Sequence, residues 1–201
     1  MAPAWLEKFI VRDPLIPDPR LNNEQPSLEI HYTDVGDHRR ILKAVGDTEP
    51  CYAVRRKTVL EVWGDKYFVT SPREADKEIA WMDFHSIPPS TEINFTSRND
   101  HVIKIKGSQE AYESSGGLGR LHWKPTSMVP YGEASWELRD EQNLVLSVTI
   151  DHRQMNGVIS IWKEKIEPKT VEELIVVGIS QLEGYKRLLR TSKISGVMAV
   201  A

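Results

Sequence analysis

The chain has 201 residues, of which 40% are hydrophobic and 27% are charged. This apolar share is large enough for a real core and too small for a protein built of membrane-spanning segments. A formal net charge of -3 provides no general positive field, so nucleic acid is not an expected partner. We expect one folded domain, because barrels and sandwiches of about 200–250 residues often form a single unit.

Cys51 is the only cysteine, which excludes intrachain disulfides and metal sites built from two thiolates. The start of the chain contains Glu7 and Lys8 where a secretory signal would be apolar. We therefore predict an intracellular protein, cytoplasmic or peripheral at a membrane, without a transmembrane segment. The histidine spacing matches no metal-binding motif, and no cofactor is predicted.

Residues 1–26 form a proline-rich arm that is unsuited to a long helix or an interior strand. We expect this arm to cover an open edge of the fold. A second interpretation places the apolar residues between Trp5 and Val11 against a membrane surface. Residues 27–201 are predicted to form the folded domain.

From Ser27 onward, short β-branched and aromatic runs alternate with turn residues, which is typical of an all-β meander. About twelve antiparallel strands are expected from this spacing. They are predicted at 28–33, 40–44, 51–55, 59–63, 67–70, 79–84, 92–95, 101–105, 120–123, 134–138, 144–150 and 158–162.

The segments between these runs carry turn signals. Gly36 and Gly46 offer a left-handed backbone, and Asn156-Gly157 is typical of a two-residue hairpin turn. The longest predicted loop covers 107–119 and is rich in glycine and serine. No Lys-Ser/Thr pair and no helix follow it, so we interpret it as a flexible hairpin connection rather than a phosphate-binding loop.

After Pro168 the apolar period changes from two to about 3.6, which predicts a C-terminal helix over about 170–190. Thr170 and Glu173 have the spacing of a capping box. Residues 174–179 are apolar around the helix, which indicates burial on all sides. The second half, with its lysine and arginine residues, is expected in solvent.

A helix that is buried on every side needs enclosure, and a sheet that closes around it provides this. We therefore predict a mainly β fold, in which an antiparallel closed barrel encloses the helix.

Trp136-Glu137-Leu138 lies before 144–149, and Glu167-Pro168 leads into Val171-Glu172-Glu173-Leu174-Ile175-Val176. In these segments and in its strand count, the chain from about Ser27 to Arg190 resembles the Tubby C-terminal-like superfamily of tubby proteins, phospholipid scramblases and LURP-one-related proteins, and is most similar to uncharacterised fungal members. The resemblance implies twelve strands around a central hydrophobic helix.

The resemblance further implies phosphoinositide binding by basic side chains on the outside of the barrel. Arg55, Arg56 and Lys57 form a basic run, in which alternation places Arg55 and Lys57 on one face. Arg40, next to Arg39, begins another strand, and Lys104 and Lys106 share a face of a third. The tubby motif is not matched residue for residue. We predict a noncatalytic module that binds anionic phospholipid headgroups or serves as an adaptor for a protein partner.

Catalysis is the alternative hypothesis. Asp83 and His85 share a strand face, so the carboxylate could orient the imidazole, and His122 and His31 could join them from neighbouring strands. A small β-barrel isomerase or cyclase for a hydrophobic metabolite would need an open cavity lined by Trp81, His85, His122 or Tyr131.

Overall fold

A computed structural model of the chain describes residues 16–58, 65–86, 89–96, 98, 101–107, 110–129 and 132–198. The side chains of 58, 86 and 192–198 are not described. The predicted strand at 59–63, the segment from Trp5 to Val11 and the candidate Tyr131 lie outside the described residues.

The described residues form one antiparallel sheet of twelve strands that curls into a nearly closed barrel. Neighbours in sequence are neighbours in the sheet from β1 to β7 and from β8 to β12, and β1 pairs with β12. The sheet edges, β7 and β8, lie beside each other. The strands are β1 Leu28–Gly36, β2 Arg39–Ala44, β3 Tyr52–Thr58, β4 Asp65–Ser71, β5 Lys77–Ser86, β6 Pro89–Phe95, β7 His101–Lys106, β8 Ala111–Glu113, β9 Arg120–Met128, β10 Ala134–Arg139, β11 Leu144–Ile150 and β12 Asn156–Ile161.

The mainly β prediction is confirmed, and every predicted strand within the described residues overlaps an observed one. The prediction of a continuous loop over 107–119 is wrong, because β8 lies inside it and pairs Tyr112 with Leu121. A strand of three residues is too short to show a period of two.

The predicted two-residue turn at Asn156-Gly157 is also wrong, because both residues already belong to β12 and pair with β1. The turn precedes them and is organised by Asp151. Its carboxylate accepts hydrogen bonds from the Met155 backbone at 2.9 Å and from Asn156 Nδ2 at 3.0 Å. Gly36 and Gly46 do have the expected positive φ, at 84° and 88°.

Helix α2, Pro168–Met198, begins with proline, which suits the first helical turn because its missing N–H has no partner there. The capping-box prediction is wrong. Thr170 is already inside the helix and only 2% exposed, and the Glu173 carboxylate turns toward Ser114 and Ser115 instead.

The apolar half of α2 is enclosed, as predicted. Its buried side chains are Leu174, Ile175, Val176, Val177 and Ile179. A side-chain carbon at Gly178 would lie 3.0 Å from Ile159 on β12, and one at Gly184 would lie 3.3 Å from Phe84 on β5. These two strands lie on different sides of the barrel, so the helix runs through its interior.

The direction of α2 distinguishes the two ends of the barrel. We call the end at which α2 begins the entry end, and the opposite end the exit end. At the entry end, Glu173 of α2 contacts the β8–β9 turn through Ser114. At the exit end, Tyr185 donates a hydrogen bond to the Gly132 carbonyl in the β9–β10 connection. The β1–β2 and β11–β12 turns lie at this same exit end, because the strands alternate in direction.

The described part of the N-terminal arm, with the short helix α1 at Arg20–Asn23, lies on the outer face of β10 and β11. The Asp18 backbone donates to Glu137 Oε1 at 2.8 Å, and Arg139 contacts both carboxylates. The outward Glu137 is consequently only 2% exposed. The expectation that the arm covers an open edge is therefore wrong for this part of the arm. It lies on the outer face of β10 and β11, and each of these strands has a paired neighbour on both sides.

Candidate functional site

Four cations form a strip on the outer face of β2, β3 and β4, and we call them the basic strip: Arg39, Arg55, Lys57 and Lys66. Inward residues such as Val54 and Tyr67 alternate with them, so the sheet period itself directs these side chains outward. Arg39, Arg55 and Lys57 are exposed, and Lys66 is partly exposed. The predicted shared face of Arg55 and Lys57 is thus observed.

The register places like charges opposite each other within the basic strip. Arg39 pairs with Arg55, and Lys57 pairs with Lys66. Directly opposed side chains have Cβ atoms about 4.5–5.5 Å apart, and like charges there destabilise a sheet. Among the described residues, none of the ion pairs includes a member of this strip. The strip therefore places four cations on one face, where an anion would relieve their mutual repulsion, while Asp83 of β5 lies directly opposite Lys66 on the far side.

An aromatic surface borders the basic strip. Lys66 Nζ lies 4.3 Å from the centroid of the Trp81 ring on β5, a cation–π distance. Phe68 is directly opposite Trp81 and shares its outer face. Stacking on Trp81 limits the positions of the Lys66 ammonium and places an aromatic ring next to the β4 end of the strip.

Two of the cations that the sequence predicts for the outer surface, Arg40 and Arg56, face the interior of the barrel. Arg40 is 3% exposed and lies inside the barrel, because alternation along β2 sends its neighbour Arg39 outward. Arg56 also faces inward, with its Nε 3.5 Å from Asp65 Oδ1. The expectation that Arg40 and Arg56 belong to a surface cluster is corrected accordingly.

Lys104 and Lys106 share the outer face of β7, as predicted, but they are remote from the basic strip. Strands β5 and β6 separate β7 from β4. Lys104 Nζ lies 3.1 Å from Glu92 Oε2, so its charge is already partly balanced. These lysines therefore do not join the cations of β2 to β4.

Asp83 and His85 share the outer face of β5, as predicted, but His122 and His31 do not join them. Asp83 and His85 alternate with the inward Met82 and Phe84, and His122 alternates with the inward Leu121 and Trp123. Strands β5 and β9 are not neighbours, and β1, which carries His31, is next to neither. Burial lowers the pKa of His122, and Lys124, Arg139 and Arg120 lower it further. Trp81, expected inward for an enzyme cavity, also faces outward.

The interior at the exit end contains a polar network that the sequence interpretation placed in solvent. Glu183 of α2 is 0% exposed, accepts a hydrogen bond from the Tyr32 hydroxyl at 2.5 Å and lies 2.9 Å from Arg40 Nε. Lys186 is 7% exposed and lies 2.6 Å from Asp34 Oδ2. The prediction that Lys186 emerges into solvent is wrong, because the Asp34 carboxylate and the Tyr32 hydroxyl, both from β1, bind its ammonium inside the barrel.

The network continues along the helix toward its C-terminus. Arg190 Nη2 donates to the Tyr67 hydroxyl at 2.5 Å and lies 3.6 Å from Asp65 Oδ2, which also faces Arg56. Positions 183, 186 and 190 follow helical spacing, so one stripe of α2 carries the polar groups while Leu182 and Leu189 remain apolar.

Burial perturbs the ionisation of these groups. Burial alone would raise the pKa of Asp34, but the ammonium of Lys186 and the Gly36 backbone N–H stabilise the carboxylate and hold its pKa below the ordinary 3.8. Burial and the nearby Glu183 carboxylate raise the pKa of Tyr67 to about 12. The same two causes raise the pKa of Tyr32 well above 10.0. These pKa shifts favour an ionised Asp34 carboxylate and neutral hydroxyls on Tyr32 and Tyr67.

A second buried carboxylate lies at the entry end. Glu173 is 0% exposed and accepts hydrogen bonds from the Ser114 hydroxyl, the Ser115 backbone and the Ser115 hydroxyl. Arg98 contacts both Glu173 and Glu172. The glycine-rich turn is therefore fixed to the start of α2.

The fold and these contacts define the class of protein as an antiparallel β-barrel around a central helix. No protein-family model, curated protein or solved structure matches the chain. Within the described residues, no helix combines the length and apolar character needed to cross a bilayer. The same part of the chain contains no group of three or more residues arranged to hold a metal ion.

Proposed function

We propose that this protein is a noncatalytic module of the Tubby C-terminal-like type that binds phosphorylated lipid headgroups on the outer face of its barrel. The observation that carries the proposal is the pairing of like charges in the basic strip, Arg39 with Arg55 and Lys57 with Lys66. Such pairs cost stability in the absence of an anion and become favourable when a phosphate lies between them.

The spacing of the basic strip suits a ligand with more than one phosphate. Arg55 and Lys57 are two residues apart on one strand, which corresponds to about 7 Å. The two opposed pairs therefore form two centres of positive charge at roughly the separation of substituents on a phosphorylated ring. Arginine adds paired N–H donors that match phosphate oxygens, and Trp81 supplies a flat apolar surface beside them.

The interior provides less support for chemistry on a metabolite. Helix α2 occupies the barrel axis, and Trp81, His85 and His122 face outward. A ligand is therefore proposed for the outside of the barrel, where the like-charged pairs of the basic strip lie.

Vesicle flotation tests the proposal. The chain should float with phosphatidylcholine vesicles that contain a bisphosphorylated phosphoinositide and stay with the soluble fraction when the vesicles are phosphatidylcholine alone. Each basic residue near an anionic surface contributes about 1 kcal/mol, so Arg55→Glu with Lys57→Glu should weaken binding at least about 25-fold. Binding should also weaken as added salt shortens the screening length.

A matched control is Lys104→Glu with Lys106→Glu, which makes the same charge change on β7 and should leave flotation close to wild type. Titration with a soluble inositol phosphate separates recognition of the headgroup from attraction to a charged surface. Equal flotation of the Arg55/Lys57 variant and the wild type would contradict the proposal.

A further inference from the structure

Three of the five large apolar side chains that are exposed among the described residues lie at the exit end of the barrel. They are Val35 at 50%, Val129 at 46% and Met155 at 42% exposure, and we call them the exit tips. Each belongs to a different hairpin. Of the other two, Val45 lies at the entry end and Ile16 begins the described chain.

The three hairpins that carry the exit tips are consecutive around the rim. Strands β9, β10, β11, β12 and β1 are successive neighbours in the sheet. The Asp34 backbone N–H donates to the Met155 carbonyl at 2.7 Å, which joins the β1–β2 hairpin to its neighbour, the β11–β12 hairpin. Glu133, Asp151 and Asn156 line one shallow cleft, so the β9–β10 connection is beside the β11–β12 turn. The tips therefore occupy neighbouring hairpins in one sector of the rim, and the polar lining of this cleft lies between two of those hairpins.

Internal hydrogen bonds fix described residues next to two of the tips. Asp151 fixes the residues before Met155, and Tyr185 of α2 donates to the Gly132 carbonyl at 3.1 Å beside Val129. A surface that is already ordered loses little conformational entropy when it meets a partner.

The charge around the tips decides which partner suits them. Asp37 and Glu133 are exposed at this end, so the tips alone would not be attracted to an anionic surface. Arg39 lies in the same hairpin as Val35 and begins the basic strip, and Arg153 lies beside Met155. The apolar tips and the basic strip are thus continuous from the β1–β2 hairpin onward.

We propose that the exit end docks on an anionic bilayer, with Val35, Val129 and Met155 inserted at the boundary between headgroups and acyl chains. This inference rests on the proposed headgroup site and adds the orientation in which that site meets the membrane. Few apolar side chains, or a basic patch alone, bind a bilayer weakly, and stable attachment generally combines two such signals. The exit tips supply one signal and the basic strip supplies the other.

Labelling at single cysteines tests the orientation directly. In a Cys51→Ser background, Val35→Cys, Val129→Cys and Met155→Cys are each labelled with a polarity-sensitive fluorophore. Val45→Cys is the matched control, because it is an exposed valine at the entry end. With vesicles of phosphatidylcholine and a bisphosphorylated phosphoinositide, the three exit labels should shift to the blue and brighten, while the label at position 45 should not change.

A second measurement separates this inference from the proposed function. Val35→Ser with Met155→Ser should weaken flotation about tenfold, since two apolar side chains lose part of their transfer free energy. The same variant should bind a soluble inositol phosphate as the wild type does.

The outcomes are distinct. Unchanged exit labels on vesicles that bind the protein would overturn the docking orientation while leaving the headgroup site intact. An equal shift at position 45 would also overturn it. Loss of flotation in the serine variant, together with absent inositol phosphate binding in the wild type, would support docking and contradict the headgroup proposal. Unchanged flotation of the serine variant would overturn the insertion of the tips into the bilayer.

Discussion

Replacing Glu183 by leucine tests whether the buried network stabilises the barrel. The substitution leaves the guanidinium of Arg40, which is 3% exposed, without the carboxylate that lies 2.9 Å from its Nε. Removing one partner of a buried ion pair typically costs about 3–5 kcal/mol, because the remaining charge stays out of water without compensation. Asp34 Oδ2, 3.5 Å from Arg40 Nη2, relieves part of this cost, so the lower part of the range is expected.

Urea unfolding followed by circular dichroism measures the effect. With a slope of about 2 kcal/mol per molar urea, a loss of 3–5 kcal/mol lowers the midpoint by about 1.5–2.5 M. The exposed pair between Lys104 and Glu92 provides the comparison, and Glu92→Gln should cost no more than about 1 kcal/mol.

The double variant Arg40→Met with Glu183→Leu makes the prediction specific. It removes both charges and leaves Asp34 paired with Lys186, so it should be more stable than Glu183→Leu alone. A single-variant loss under about 1 kcal/mol, or a double variant that loses the sum of both single losses, would refute the reasoning.

Three further predictions concern other parts of the barrel. Gly116→Ala should lower the Tm by about 2–12 °C in a thermal melt, because the added carbon would lie 1.8 Å from Thr170 Oγ1 and 2.7 Å from its Cβ, so that side-chain rotation alone gives no relief. Asp34→Asn should reduce the acid sensitivity of stability, measured as urea midpoints at pH 7 and pH 3. The wild-type carboxylate contributes fully above its unfolded pKa of 3.8 and loses that contribution as the pH falls through its lowered folded pKa. Arg139→Met should release residues 16–26 from the outer face, since it removes the cation that contacts Asp18 at 3.1 Å and Glu137 at 2.7 Å. Limited trypsin digestion should then cleave faster after Arg20.

Each of these predictions has a contrary result. An unchanged melt for Gly116→Ala would mean that the turn is not packed on α2. Parallel acid dependence in Asp34→Asn and wild type would show that this carboxylate does not lose stabilisation on protonation. Equal cleavage after Arg20 in Arg139→Met and wild type would mean that other contacts hold the arm.

Local patterns in the sequence were sufficient for most of the fold. Alternation of apolar and polar residues identifies strands such as Leu144–Ile150, for which predicted and observed bounds agree. The apolar run 174–179 predicts an enclosed helix, because a helix without a polar face must be buried on all sides. The short strand β8 was not predicted, because its three residues are too few to show an alternation of apolar and polar side chains.

The candidate site was only partly predictable. Alternation along β3 correctly places Arg55 and Lys57 on one face, but the run does not say that Lys66 of β4 lies opposite Lys57. Which residue of β4 lies opposite Lys57 depends on the register between β3 and β4, and this register is fixed only when the two strands pair in the folded sheet. The outward alternation of Lys66, Phe68 and Thr70 was the signal that could have added Lys66 to the site.

The sequence by itself determined the β period, the left-handed turn glycines and the apolar half of the central helix, because each depends on residues close together in the chain. The tertiary structure decided which cations are surface groups and which are buried. Arg39 and Arg40 are adjacent, yet one joins the outer strip and the other faces Glu183 inside the barrel. The lysine and arginine residues along α2, taken alone, predict a solvent-exposed segment, but the carboxylate that pairs with Lys186 is Asp34 of β1, which is far away in sequence. Charge becomes buried only where folding brings such partners together, and that is a property of the closed barrel rather than of any local pattern.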